Sequence, residues 1–287
     1  MNTMWMFKNK DEHDNTVKHK SRVCSKGFQM VPGVDYKESF SPVATETTVR
    51  VFLCVYLYYC DPELVITFVC EMIDIEAAFL EGDMEGGKPT FINWPDGMFE
   101  LGFIDEKEID EKCILLLKSM YGNVDAAIRF FRTYRRHLLE KMKLEQSQAD
   151  PCVFFKKNAK GMTVLIAITH VDDTLLIGTR EAVDEFKKGI KERFGYTDLG
   201  RMKKHLGVWY EHKTDKNGDT YLEATMPKYV KEIVALYEKH KGQPVKEYST
   251  PGTPGISLEK NKGDSVEPEM YRRIVGKVMY MVTKIFP

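Results

Sequence analysis

The stretch of residues 164–177 constrains the fold of this chain more than any other part of the sequence. Residues 164–169 and 174–177 are apolar and rich in β-branched side chains, as β-strands are, and only four residues lie between them. Such a short break between two strands predicts a β-hairpin. The break reads HVDD at residues 170–173, so the predicted hairpin carries two carboxylates at its tip.

A second apolar stretch also ends in a carboxylate. Residues 64–75 predict a buried strand that ends at Asp74. Three carboxylates at the edge of one sheet need a counter-charge, because an apolar edge disfavours ionised groups. Hard divalent cations, Mg²⁺ above all, prefer such oxygen ligands, and two of them about 3.5–4 Å apart serve phosphoryl transfer. The alternative is unrelated surface carboxylates, because Asp is also common in turns for local reasons.

The remaining pattern mixes helices and strands without regular βαβ alternation, which indicates an α+β protein. Helical spacing predicts helices over residues 125–142, 183–195 and 271–282, one capped by Thr47 or Thr48, and one capped by Thr225. Further strands are predicted over residues 17–28 and 153–155, with a second hairpin around residues 216–219. Residues 242–264 are rich in Pro, Gly, Lys and Glu and predict a linker.

Composition excludes several classes of protein. The 287 residues suit one large domain or two modest ones, and a net charge of −1 excludes a histone-like basic protein. Apolar runs fall short of the ~20 residues of a membrane span, and the first residues lack the apolar core of a secretory signal. The six cysteines are scattered without a CxxC pair, so we expect no structural zinc and an intracellular, reducing environment.

Two groups of basic residues are candidates for contact with phosphates. One lies on the predicted strand over residues 17–28, where alternate positions share a face, and consists of Lys18, Lys20, Arg22 and Lys26. The other forms a stripe on the predicted helix over residues 125–142 and consists of Arg129, Arg132 and Arg136. Each group has two interpretations, a solvated face or a nucleic-acid contact.

Short motifs in one order run nearly end to end through the chain. They include DIEAAFLEGD at residues 74–83, SMYG at residues 119–122 and VDD at residues 171–173. Others are at residues 5–8, 20–28, 33–36, 39–43, 47–50, 149–152, 198–200, 206–207, 250–251 and 271–276. With this series the chain resembles the reverse transcriptase (RNA-directed DNA polymerase) of copia-type LTR retrotransposons.

The resemblance implies a right-hand polymerase fold, with fingers, a palm of antiparallel sheet and helices, and a thumb. It implies fingers and palm over residues 1–215 and a thumb-like and connection region over residues 216–287. It also implies DNA synthesis from dNTPs on a primed RNA or DNA template with Mg²⁺, or Mn²⁺ in its place. Asp74 and Asp172 would hold both metal ions, with Asp173 as the third carboxylate. The protein would act in a cytoplasmic particle or in the nucleus.

The resemblance also assigns the nucleotide site. Phe79 falls on the steric gate, where a bulky ring would clash with a ribose 2′-OH, although the residue alone would be interpreted as a core aromatic. Backbone N–H groups around Ala77 and Ala78 would face the triphosphate. Arg22 and Lys26 are the candidates for its charge partners.

Three departures from the family pattern favour a degraded, truncated or repurposed copy. His170 stands where the family has Tyr and would alter the contact with the primer end. Asp125 stands where the family has a Gln near the nucleotide, which adds negative charge. The chain ends after residues 284–287 without the family's Arg-Pro-Asp. The alternative function is therefore a catalytically silent descendant that only binds nucleic acid.

Overall fold

The chain divides into two units, which we describe separately. The computed structural model describes residues 1–11, 17–61, 64, 66–84, 89–249 and 267–285. The first unit is Met1–Arg201 and the second is Met202–Pro287. The boundary expected after residue 215 falls in the turn of a hairpin of the second unit, while the division lies after the strand that ends at Arg201.

The first unit contains ten strands and three α-helices among its described residues. In chain order they are β1 (Thr3–Asp11), β2 (Val17–Ser25), α1 (Glu46–Tyr59), β3 (Val69–Ile75), β4 (Phe91–Ile92), β5 (Ile114–Leu115), α2 (Ala126–Arg136), β6 (Glu145–Gln146), β7 (Val153–Lys157), β8 (Thr163–His170), β9 (Asp173–Gly178), α3 (Arg180–Lys191) and β10 (Tyr196–Arg201). This mixture of helix and antiparallel sheet agrees with the predicted α+β class.

Six of these strands form the central sheet, in the order β10-β3-β9-β8-β7-β6, with every neighbouring pair antiparallel. β8 and β9 form the hairpin that the sequence predicts. Both strands are buried on their two faces because helices cover the sheet on each side. On one face Phe130 and Tyr134 of α2 and Phe186 of α3 pack into the main hydrophobic core. On the other, Phe52 of α1 meets Phe155 of β7 edge to face.

Helix α1 begins two or three residues earlier than the sequence predicts. Thr45 is the N-cap, because its hydroxyl accepts a hydrogen bond from the Thr48 N–H at 3.1 Å. The Thr48 hydroxyl donates instead to Asp150 Oδ2 at 2.6 Å. The predicted caps Thr47 and Thr48 were therefore wrong, because a residue distant in sequence engages the Thr48 side chain.

Strands β1 and β2 form a separate antiparallel hairpin. Strand β2 ends at Ser25 rather than at Phe28, and a short 3₁₀ turn follows at Gly27–Gln29. The backbone needs glycine here, since a Cβ on Gly27 would lie 2.0 Å from the Gly122 carbonyl oxygen. Lys26 consequently lies beyond the strand, and only Lys18, Lys20 and Arg22 of the predicted basic face share its register.

The second unit contains a three-stranded sheet and two helices among its described residues. They are β11 (Lys204–His205), β12 (Val208–Thr214), β13 (Thr220–Thr225), α4 (Pro227–Lys241) and α5 (Pro268–Ile285). The predicted β12–β13 hairpin is confirmed. Met226, not Thr225, precedes α4, while Pro227 opens it as expected. Most of the predicted linker, from residue 250, lies outside the described residues. None of the helices described has both the length and the apolar character that a bilayer crossing demands.

Candidate active site

Three adjacent strands bring His170, Asp173 and Asp74 into one row at the edge of the central sheet. Asp74 on β3 lies directly opposite Asp173 on β9, and Asp173 lies opposite His170 on β8. Because directly paired residues point to the same face, all three side chains share one side of the sheet. Asp172 precedes Asp173, and its carbonyl oxygen accepts a hydrogen bond from the Ile75 N–H at 2.8 Å. The backbone of Asp74, Asp172 and Asp173 thus lies at one edge of the central sheet.

The hairpin turn that presents these aspartates is strained. Val171 has φ +58°, in the left-handed region that β-branched residues rarely adopt. Such a conformation costs of order 1–3 kcal/mol and persists only where the surrounding structure imposes it. Here the in-register pairing of β8 with β9 leaves only Val171 and Asp172 to close the turn. The strand pairing and the short turn therefore fix where Asp172 and Asp173 lie, and the positive φ of Val171 is a consequence of that closure.

The electrostatics of this edge are those of clustered carboxylates. Burial raises the pKa of Asp173 to about 6, and the negative charges of Asp172 and Asp74 add to the effect. Within the described part of the chain, no Lys or Arg forms a salt bridge with Asp172 or Asp173. The donor set has the chemistry that a hard divalent cation prefers. No three His, Cys, Asp or Glu side chains among the described residues are arranged to hold an ion, so side-chain rotation would have to complete the set.

Phe79 follows the first aspartate in a short 3₁₀ turn, Ala78–Leu80. Ala77 precedes this turn with φ +50°, which redirects the chain away from β3. The Phe79 ring is half-buried and meets the Tyr121 ring edge to face, with centroids 5.7 Å apart. Its carbonyl oxygen accepts a hydrogen bond from Ser119 Oγ at 2.6 Å. Ala77 is exposed and Ala78 is buried.

Arg22 contacts Tyr121, the residue whose ring meets Phe79. The Arg22 guanidinium carbon lies 5.1 Å from the centroid of the Tyr121 ring, within the range of a cation–π contact. Lys26 is half-buried beyond the end of β2, and its backbone N–H donates to the Asn2 carbonyl oxygen at 2.8 Å. The two predicted charge partners of a triphosphate therefore have different surroundings.

The arginine stripe on α2 is engaged with carboxylates. Arg129 pairs with Asp125 at 2.5 Å, Arg136 pairs with Asp83 at 2.5 Å, and Arg132 pairs with Glu38. The first pair is buried, with side-chain exposures of 11% and 4%. These salt bridges offset part of the stripe's positive charge, while Arg132, with a side-chain exposure of 60%, still faces solvent. The salt bridge with Arg129 also neutralises the charge of Asp125.

Sequence reasoning gave no role to Tyr121, the residue that contacts both Arg22 and Phe79. The available signal was its position in the SMYG motif, directly before a glycine. Gly122 has φ +93°, and a Cβ there would lie 2.1 Å from the Ser25 carbonyl oxygen. Sequence reasoning also missed Asp83, which accepts hydrogen bonds from Arg136 and from Arg193 at 2.8 Å.

Comparison with known proteins shows the family of the chain. The chain belongs to the reverse transcriptase (RNA-dependent DNA polymerase) family, whose sequence profile matches residues 1–244. It is similar to the retrovirus-related Pol polyprotein from transposon TNT 1-94 of Nicotiana tabacum, with 28% identity over 286 residues, 96% of this chain and 20% of the relative. It is also similar to the retrovirus-related Pol polyprotein from transposon RE1 of Arabidopsis thaliana, with 26% identity over 96% of this chain and 17% of the relative.

A more distant relative is the transposon Ty1-NL2 Gag-Pol polyprotein of Saccharomyces cerevisiae, with 22% identity over 96% of this chain and 14% of the relative. The chain thus spans a fifth or less of the length of these relatives. The resemblance to the reverse transcriptases of copia-type retrotransposons is confirmed.

Proposed function

We propose that this chain is the RNA-directed DNA polymerase domain of a copia-type retrotransposon, with dNTPs and a primed template as its substrates. The observation that supports this most is the in-register placement of Asp74 beside Asp173, with Asp172 next to it in the turn. Family membership alone would hold equally for a chain that had lost these residues. Residues 1–201 would contain fingers and palm, and the second unit would contain thumb-like elements. The site of action would be a cytoplasmic particle or the nucleus.

Asp74, Asp172 and Asp173 would hold Mg²⁺, or Mn²⁺ in its place. A pair of such ions, when bound, activates the attacking primer oxygen and stabilises the leaving pyrophosphate. The protein contributes a sheet edge that holds the carboxylates together against their mutual repulsion. The short turn at Val171 and the hydrogen bond from the Ile75 N–H fix Asp172 relative to β3. His170 lies in the same row and would contact the primer end.

Phe79 would act as the steric gate of the nucleotide site, because it lies one short turn beyond Asp74 with a half-exposed ring. Exclusion of a ribose 2′-OH by such a ring is a steric effect and needs no charge. Arg22 would pair with the triphosphate, and Lys26 and the backbone at Ala77 and Ala78 are further candidates. Arg129, Arg132 and Arg136 would contact nucleic acid with their positive charge reduced by their carboxylate partners.

The alternative, a silent descendant that only binds nucleic acid, draws support from Asp125 and His170, the two departures from the family pattern within the site. The Asp125–Arg129 pair weakens this alternative, because a neutralised carboxylate repels phosphates far less than a bare one. The in-register aspartates weaken it further, since a chain kept only for binding has no need of them.

Primer extension separates the two functions. Oligo(dT) annealed to poly(rA) is extended with dTTP in Mg²⁺ and, separately, in Mn²⁺. We expect extension by the unsubstituted protein and a loss of more than about 100-fold in Asp172→Asn, which removes a metal ligand without changing side-chain volume. Binding of the same hybrid is measured in parallel over a range of salt concentrations. Salt-sensitive binding without extension in either metal ion would favour the silent descendant, and absence of binding would contradict both functions.

A further inference from the structure

Three side chains from three separate segments form a continuous contact beside the proposed nucleotide site. Arg22 comes from β2, Phe79 from the turn after β3, and Tyr121 from the segment that precedes α2. The guanidinium of Arg22 lies over the Tyr121 ring at 5.1 Å, and the edge-to-face contact of Tyr121 with Phe79 spans 5.7 Å. Tyr121 is therefore the element that joins the cation to the aromatic ring.

The backbone around Tyr121 is fixed on both sides. Its carbonyl oxygen accepts a hydrogen bond from the Ser25 N–H at 2.8 Å, which joins it to the end of β2. Ser119, two residues before it, donates its hydroxyl hydrogen bond to the Phe79 carbonyl oxygen at 2.6 Å. The close approach of Gly27 and Gly122 leaves no room for a side chain between these segments. The ring therefore has a defined position relative to both of its neighbours.

Tyr121 is half-exposed, unlike the fully buried aromatic rings of the main core, Phe130 and Tyr134. A ring whose purpose was only core packing would be expected among those residues. Its contacts instead are with one residue proposed to exclude the ribose 2′-OH and one proposed to pair with the triphosphate. The arrangement joins the residue proposed to contact the sugar to the residue proposed to contact the triphosphate through a single side chain.

We propose that Tyr121 is a positioning residue that holds the Phe79 ring and the Arg22 guanidinium in the geometry that admits a deoxynucleoside triphosphate. This inference rests on the proposed polymerase function. Tyr121 acts through its two neighbours, so its ring matters and its hydroxyl does not. Loss of the ring would free Phe79 to rotate and Arg22 to leave the triphosphate, which affects nucleotide selection and binding before it affects the chemical step.

The test compares Tyr121→Leu with Tyr121→Phe, which keeps the ring, and with Tyr59→Leu as a matched control. Tyr59 is also half-buried and packs on a phenylalanine, Phe68, with centroids 4.7 Å apart, but beside the opposite end of β3 from Asp74. Extension on poly(rA) is measured with dTTP and with ribothymidine triphosphate, which differ only at the 2′ position. Formation of a ternary complex on a dideoxy-terminated primer gives a binding readout that does not depend on turnover.

In Tyr121→Leu we expect the preference for dTTP to fall about tenfold and KM for dTTP to rise about tenfold, with kcat within about threefold. The ternary complex should weaken to the same extent as KM. Tyr121→Phe should retain the preference, and Tyr59→Leu should lower stability without changing it. An unchanged preference in an active Tyr121→Leu overturns the positioning role alone. Absence of extension by the unsubstituted protein overturns the proposed function, and the positioning role with it.

Discussion

Strand β3 carries two acidic residues, Glu71 and Asp74, whose electrostatic surroundings differ sharply. Glu71 is buried and forms salt bridges with Lys187 Nζ at 2.5 Å and with Arg180 at 2.7 Å. Burial alone would raise the pKa of Glu71, but the hydrogen bonds and charges of Lys187 and Arg180 outweigh it and hold that pKa below its usual range. Lys187 also pairs with Asp198 at 2.7 Å.

At the other end of β3, Asp74 faces another carboxylate across the sheet. Asp173, its partner in register, has a pKa raised to about 6 by burial and by its acidic neighbours. Glu71 and Asp74 are three positions apart on β3, so their side chains point to opposite faces of the sheet. The chain therefore neutralises a carboxylate on the face that α3 covers and accumulates carboxylates at the hairpin edge. Carboxylates gathered at some cost in stability are expected where they serve a function.

The largest loss of stability should come from replacement of Lys187, which pairs with Glu71. Lys187→Met leaves Glu71 buried with Arg180 as its remaining basic contact, and we expect the free energy of unfolding to fall by about 2–3 kcal/mol. Lys191→Met on the same helix is the matched control, because Lys191 is exposed, and it should change stability by less than ~0.5 kcal/mol. Urea denaturation measures both. Equal losses in the two variants would show that the salt bridges of Lys187 with Glu71 and Asp198 add no net stability.

Neutralising Glu71 and neutralising Asp172 should affect stability differently. Glu71→Gln should lower the free energy of unfolding by about 2 kcal/mol, since it weakens two charge-assisted hydrogen bonds. Asp172→Asn should leave it unchanged or raise it slightly, because the charge of Asp172 opposes ionisation of Asp173. A loss of stability in Asp172→Asn as large as that in Glu71→Gln would contradict the contrast between the salt-bridged Glu71 and the clustered carboxylates of the hairpin edge.

The pH dependence sharpens this comparison. The folded-state pKa of Glu71 lies below the unfolded value of about 4.3, so its stabilisation is fully present above that pH. The stabilisation is lost as the pH falls through the folded-state pKa. The difference in free energy of unfolding between the unsubstituted protein and Glu71→Gln should accordingly stay constant from pH 7 to about pH 4.3 and narrow below that pH, as urea denaturation at each pH would measure.

The smallest effect concerns the strained turn. Val171→Gly should raise the free energy of unfolding by about 1 kcal/mol, because glycine adopts φ +58° without the penalty of a β-branched residue. Val164→Gly in β8 is the control, and it should destabilise because strand residues need no positive φ. Thermal unfolding compares the two. If Val171→Gly destabilises as much as Val164→Gly, the turn is not strained and another contact holds Asp172.

Local sequence pattern determined the elements that carry the site. The β8–β9 hairpin followed from two apolar runs with four residues between them, and β12–β13 followed from the KNGD turn sequence at residues 216–219. Ordered motifs identified the family because many short matches in one order do not arise by chance. Caps were less predictable, as Thr45 shows, because competition between neighbouring threonines was decided by Asp150.

Only the tertiary structure decided which residues meet. Residues far apart in sequence determine that Asp74 lies opposite Asp173, that Arg136 pairs with Asp83, and that Tyr121 joins Arg22 to Phe79. Spacing along the chain specifies the face of a strand or a helix, but the register between distant strands comes from packing of the whole core. Whether a charged side chain is bare or paired likewise depends on which element folds against it. For this reason the sequence by itself supplied the three carboxylates, and the pairing of β3 with β9 brought them to one edge of the sheet.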